Sequence, residues 1–240
     1  MNKRRISWLM AAIAVPALVF GAMASTAFAE KGIDPKKAKD LIPIVLVIDD
    51  TVLPGSNWTL IRDDFTENAL PKTTACNNSL AKLNTLSKGL ESQLAAKGSL
   101  LAVQDPEPGQ YPLAVSTEIY VYKSESALAT AFKDLKTIYT GNDMAPCLVS
   151  LFEADVSGAT GKKIEPYLPA ANSDIEGAAV AAEIKASQLI DPVRVEHYAA
   201  INGNTLVMMT FLGPAPLVDK DGVTFLLQLE AAAIELVSGY

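Results

Sequence analysis

The chain has 240 residues, half of them hydrophobic, and carries 20 basic against 27 acidic side chains for a net charge of −7. That balance argues against nucleic-acid binding, which relies on Lys and Arg to neutralise phosphates, and against polybasic docking on anionic lipid. One histidine and two cysteines exclude zinc centres built from several histidines.

Residues 1–29 read as a secretory signal peptide. Lys3, Arg4 and Arg5 precede an apolar run from Ile6 to about Phe20, and Ala27-Phe28-Ala29 offers a cleavage site before Glu30. Ser7 stands where a twin-arginine signal usually has a large apolar residue, which favours the general secretory route. The cleavage region has no cysteine to take a lipid anchor, and no later segment has enough consecutive apolar residues to span a membrane. The expected location is extracytoplasmic, in the periplasm, the cell-wall space or the medium. Loss of the three basic residues takes the net charge to −10.

Residues 30–40 read as a flexible, solvated leader to a single domain over 41–240. Residues 41–48 are apolar and β-branched, which suits a buried strand, with helix an option for the first turn. Pro54-Gly55-Ser56-Asn57 is turn chemistry, followed by Trp58. Residues 79–97 predict a helix with a Leu83, Leu86, Leu90, Leu94 stripe, stopped by Gly98. Residues 115–122 predict a strand with Val115, Thr117, Ile119 and Val121 on one face and Ser116, Glu118, Tyr120 and Tyr122 on the other. Ser124 caps a predicted helix that carries Leu128, Ala131, Phe132, Leu135 and Ile138 inward and ends at 141–143. A short apolar segment then runs from about Cys147 to Phe152.

Residues 157–175 suggest a long loop with room for one strand. Residues 176–188 fit helix by composition and strand by alternation. Residues 193–201 and 205–212 flank Asn202-Gly203, a hairpin signal. A last helix is expected over 221–238. This order gives an α+β fold, one antiparallel or mixed sheet covered by helices.

Cys76 and Cys147 would meet an oxidising compartment after export, so a disulfide is expected, with two buried thiols or an intermolecular bridge as alternatives. His197 is the base that any Ser-His-Asp hydrolase here would need, yet no Gly-x-Ser-x-Gly elbow accompanies it. A satisfied, half-buried histidine is the plainer expectation. Asp219-Lys220-Asp221-Gly222 with Glu230 fails calcium-loop spacing, because Thr224 stands where the loop needs glycine. Asp49-Asp50 and Asp63-Asp64 read as solvated pairs, and the two Asn-x-Ser/Thr triplets at Asn57 and Asn77 as incidental. No metal and no cofactor is expected. Trp58 is a core anchor or a ligand rim, and Tyr120 and Tyr122 cover a helix or line a groove. Met144, Met208 and Met209 suit gap filling.

Several of these features occur together in a known layout: Leu53-Pro54-Gly55-Ser56-Asn57-Trp58, Cys76, a strand leading into Ala127-Leu128-Ala129-Thr130-Ala131-Phe132, Cys147, a strand entering Gly203-Asn204-Thr205-Leu206-Val207, and a closing helix. The chain resembles a diverse family of actinobacterial exported proteins and lipoproteins. It is similar in layout to the extracellular sensor domain of mycobacterial transmembrane serine/threonine kinases. The resemblance implies a helix-flanked antiparallel sheet with a cleft, a Cys76–Cys147 bridge, and binding or sensing with no catalytic residue to carry over. One possible disulfide stands where those sensors have two, and kinase domain, transmembrane helix and lipobox are all missing from the sequence.

The expected function is therefore a secreted, non-enzymatic binding or sensor-like domain. It would hold a small or apolar ligand in a sheet–helix groove, with Trp58, Tyr120 and Tyr122 as ligand-binding aromatics. The alternatives are a cell-envelope protein–protein interaction module and, last, a hydrolase using His197.

Overall fold

The computed structural model describes residues 33–45, 58–62, 74–106, 110–153, 156–167, 176–218, 220 and 223. In chain order they form α1 (Ala38–Val45), β1 (Trp58–Arg62), a 3-10 turn (Thr74–Cys76), α2 (Asn77–Glu91), β2 (Leu94–Gln104) and β3 (Leu113–Tyr122). Next come α3 (Glu125–Thr140), α4 (Met144–Glu153), β4 (Thr160–Ile164), β5 (Glu176–Lys185), β6 (Val193–Asn202) and β7 (Thr205–Pro214). The expected signal peptide, the turn at 54–57, the two Asp pairs and nearly all of the last helix lie outside the described residues.

The strands form one sheet in the order β1-β2-β3-β7-β6-β5-β4, and every pairing is antiparallel. Two meanders, β1 to β3 and β4 to β7, meet where β3 pairs with β7. The sheet packs on both sides. Helices α2, α3 and α4 cover one face through Leu83, Leu128, Phe132, Leu135, Leu148 and Phe152, among others. The opposite face holds Leu100, Val115, Ile119, Met209 and Phe211 under Ile33, Ala38 and Ile42 of the α1 region, with Val218 and Val223 in the same cluster. The fold is thus α+β in a single domain, as the sequence predicts.

Most local predictions hold. The two faces of β3 are as expected, and β3 begins two residues earlier. Ser124 caps α3 by accepting from the Ala127 amide at 3.2 Å, and Leu128, Phe132, Leu135 and Ile138 are buried. Lys163 donates to the carbonyls of Thr140 and Gly141 at the helix end, where the dipole favours a cation. The 202–205 hairpin forms with Gly203 in the left-handed region at φ 57°, which glycine adopts without strain. Residues 176–185 resolve as strand: Ala178, Val180, Ala182 and Ile184 alternate into the core beneath the helices.

Three readings change. Residues 41–45 belong to helix α1, not to a strand; Asp34 starts it by accepting from the Lys36 amide, and Ala38 and Ile42, one turn apart, share the buried face. The helix expected to 97 stops at Glu91, and Leu94–Gln104 is a strand that pairs with β3 along its length and with β1 over 100–104. Its Leu, Ala and Lys content favours helix locally, but the ladder to β3 outweighs that preference. The apolar segment around Cys147, given no secondary structure from the sequence, is helix α4. Within the expected leader, Ile33 and Ala38 are buried, and the Asn204 side-chain amide donates to the Ile33 and Tyr122 carbonyls at 2.8 Å each.

Cys76 and Cys147 form a disulfide, and both are fully buried. The bridge ties the start of α2 to the middle of α4. In the chain-entropy account, closing a loop of 71 positions stabilises the fold by about 4 kcal/mol.

Candidate functional site

A cleft opens where α2 and α3 lie side by side on strands β3 and β7. Leu86, Ser87 and Leu90 of α2 form one wall and Leu128, Ala131, Phe132 and Leu135 of α3 the other, while Tyr120, Tyr122, Leu206 and Met208 form the floor. Each residue is there for a periodic reason: helix positions recur every third or fourth residue and strand positions every second. The cleft holds about 430 Å³ of empty space with its open mouth included. Its cavity volume is about 40 Å³, by a measure in which one water needs roughly 10–15 Å³.

The polar atoms of the floor gather around Glu118. The Tyr120 hydroxyl donates to its carboxylate. Burial, and after it the nearby Glu118 charge, push the phenol pKa of Tyr122 and of Tyr139 on α3 well above its ordinary value, so both phenols stay protonated. Tyr120 and Tyr122 lie together on the cleft floor. Trp58 is not with them: it sits across from Gln104 on β1 and packs against the opposite face. A single groove on this sheet cannot hold all three aromatics.

His197 lies on the helix-covered face of β6 and is 1% exposed. Its Nδ1 is 2.6 Å from Thr210 Oγ1, and its ring stacks obliquely on Tyr139 at 5.2 Å between centroids. Burial lowers its pKa from 6.5 to about 3, so the ring is neutral. It is more deeply buried than the half-buried placement expected, and it lacks the solvent access that a hydrolytic base needs. Among the described residues no group of three or more His, Cys, Asp or Glu side chains could hold a metal. Among them, too, no helix is long and apolar enough to cross a membrane.

No protein-family model and no curated protein matches the chain. Solved structures similar to it include two from mycobacteria. The extracellular domain of PknH from Mycobacterium tuberculosis is 11% identical over 88% of this chain and 100% of that one, with a TM-score of 0.47. The Rv0999 ortholog from Mycobacterium smegmatis is 14% identical over 85% of this chain and 98% of that one, with a TM-score of 0.34. At these TM-scores neither likeness carries an argument about function.

Sequence reasoning missed two groupings. On the helix-covered face, Ser116, Thr210 and His197 form a buried row across β3, β7 and β6 beneath Tyr139. On the other face, Glu196 is fully buried, pairs with Arg194 and accepts from the Tyr198 hydroxyl and, at 3.1 Å, from the Tyr167 amide. Arg194 also lies 3.7 Å over the Tyr167 ring and donates to the Glu165 carbonyl. Alternation marks Arg194, Glu196 and Tyr198 as one face of a strand, but only pairing shows that this face is buried.

Proposed function

We propose that the protein is an extracytoplasmic, non-enzymatic binding domain that holds a slender apolar ligand in the cleft between α2, α3 and the sheet. The observation that carries this reading is the cleft itself: apolar walls, a floor of two tyrosines, and a mouth open to solvent. Ligand sites are commonly concave and apolar with a few polar groups that set orientation. The export-type N-terminus and the Cys76–Cys147 bridge support a location outside the cytoplasm. Tyr120 and Tyr122 serve as the floor contacts in this reading, and Trp58 as an anchor of the opposite face.

Native mass spectrometry of the protein purified from its own host, before and after organic extraction, tests this. Ala131 is half-buried on the cleft wall, so Ala131→Trp fills the cleft without opening the core. The expected result is extra mass on the wild type that leaves on extraction and is missing from Ala131→Trp. A bare mass for the wild type, or the same adduct on both, rejects the cleft as the ligand site.

A second reading, a partner-binding module, has one observation in its favour. Ile190 and Leu217 are 70% and 49% exposed, each two positions from a residue of the Ala215 to Pro192 backbone hydrogen bond. Exposed apolar side chains that form a contiguous patch favour contact with another protein. Loss of a co-purifying partner in Ile190→Asp/Leu217→Asp, with the adduct retained, would support it.

A further inference from the structure

The cleft's cavity volume of about 40 Å³ leaves room for a few waters, whereas ligand pockets generally hold roughly 300–1,000 Å³. A ligand of ordinary size therefore enters only if a wall gives way. The two helical walls are not equally held. Helix α3 is capped by Ser124 and buries Leu128, Phe132, Leu135, Ile138 and Tyr139. Helix α2 has no side-chain cap at Cys76, and among its described positions the buried ones are Ser79, Leu83 and Ser87. Of these three only Leu83 brings apolar bulk, while Leu80, Leu86 and Leu90 are partly buried. Gly89, with open space where a Cβ would stand, weakens the helix further.

The ends of α2 are fastened. Cys76, just before it, is bridged to Cys147 of α4. Just after it, the Lys123 amide donates to the Gln93 carbonyl at 2.7 Å, and Lys123 Nζ donates to the Ser92 carbonyl at 3.1 Å. A helix tied at both ends and lightly held between them can lift from α3 while the sheet stays folded. We infer that α2 is the movable wall of the cleft, seated by Leu83 and displaced when ligand enters; the inference rests on the cleft reading above. Unseating α2 then opposes binding, because a competent state that is only fractionally populated weakens the apparent affinity by that fraction. Leu83 packs in the core below the helices and does not line the cleft. Its truncation loosens the wall and leaves the lining as it is, so a destabilising substitution should tighten binding.

The experiment compares the wild type with Leu83→Ala, the milder Leu83→Val, and Ile184→Ala, which removes similar bulk from the same core on β5. Amide hydrogen exchange followed by mass spectrometry reports on residues 83–91 of α2 and 128–140 of α3. Fluorescence titration with the uncharged apolar probe N-phenyl-1-naphthylamine reports on the cleft, with Ala131→Trp as the filled control. The expected result is faster exchange in α2 than in α3 in the wild type, and faster still in α2 alone in Leu83→Ala. That variant should bind the probe roughly tenfold tighter, Leu83→Val should move both readouts the same way by less, and Ile184→Ala should bind as the wild type does. If the Leu83 variants bind no tighter, or α2 and α3 exchange at one rate throughout, the movable wall is overturned; probe binding that Ala131→Trp blocks still leaves the cleft standing. If no variant binds the probe, the cleft reading and the movable wall fall together.

Discussion

Two polar groups buried on opposite faces of the sheet differ in how far they are satisfied. On the α1 face, Glu196 accepts from Arg194, Tyr198 and the Tyr167 amide, and Arg194 is held further by a ring and a carbonyl. The group is closed on itself and fastens the segment around Tyr167 to β6. On the helix-covered face, His197 and Tyr139 each keep a polar atom without a partner among the described residues, and neither lines the cleft. A satisfied network stabilises a fold, whereas each buried polar atom left unpaired takes free energy away from it. Burial of charge alone does not mark a site; what matters is whether the polar valences are already used.

The largest test of this contrast removes a fastening from the helix side. Cys76→Ala/Cys147→Ala should lower unfolding free energy by about 4 kcal/mol, measured by urea denaturation, and should loosen α2 over the cleft. On the other face, Glu196→Ala leaves the mostly buried Arg194 charge and the Tyr198 hydroxyl without their carboxylate. The expected cost is roughly 3 kcal/mol, with no change in ligand binding at the cleft. Impaired binding in that variant would mean that the two faces are not independent.

Acid should act on the helix side through His197. The unfolded ring titrates near 6.5 and the folded one near 3, so above about pH 6.5 neither state gains a proton and the contribution is nil. As pH falls below that value only the unfolded chain takes up the proton, and stability is lost until the folded ring protonates. The loss reaches about 2 kcal/mol at pH 5. His197→Gln should flatten the stability profile between pH 6.5 and 5; an unchanged slope would assign the acid sensitivity elsewhere.

The smallest effect concerns Thr117, fully buried on the α1 face with its hydroxyl lacking a described partner. Thr117→Val keeps the shape and removes the orphan, so it should leave stability unchanged or raise it by up to about 1 kcal/mol. A clear loss in thermal unfolding would show that this hydroxyl is used.

Much of the candidate site is legible from the chain alone. Periodicity puts Tyr120 and Tyr122 on one face of β3, and Leu128, Phe132 and Leu135 on the inner face of α3. The position of Trp58 is not legible, because alternation defines two faces of a strand without saying which face of the neighbouring strand each one joins. Its register against Gln104 decides that. Residues 94–97 are misread for a related reason. Their side chains suit a helix, and the competing stabilisation comes from the ladder to β3, reached across a turn-forming stretch.

What the sequence determines by itself is local and periodic: the Ser124 cap, the faces of β3 and α3, the Gly203 hairpin, an α+β class and a pair of cysteines suited to bridging. These depend on neighbours within a few positions, where backbone geometry and spacing suffice. Only the tertiary structure decides that α1 is a helix pinned by Asn204, that Trp58 and the two tyrosines face opposite ways, and that His197 meets Thr210 and Tyr139. Those outcomes are set by strand register and by packing of segments up to 171 positions apart. The energies involved, burial and mutual hydrogen-bond satisfaction, exist only once the distant partners have met.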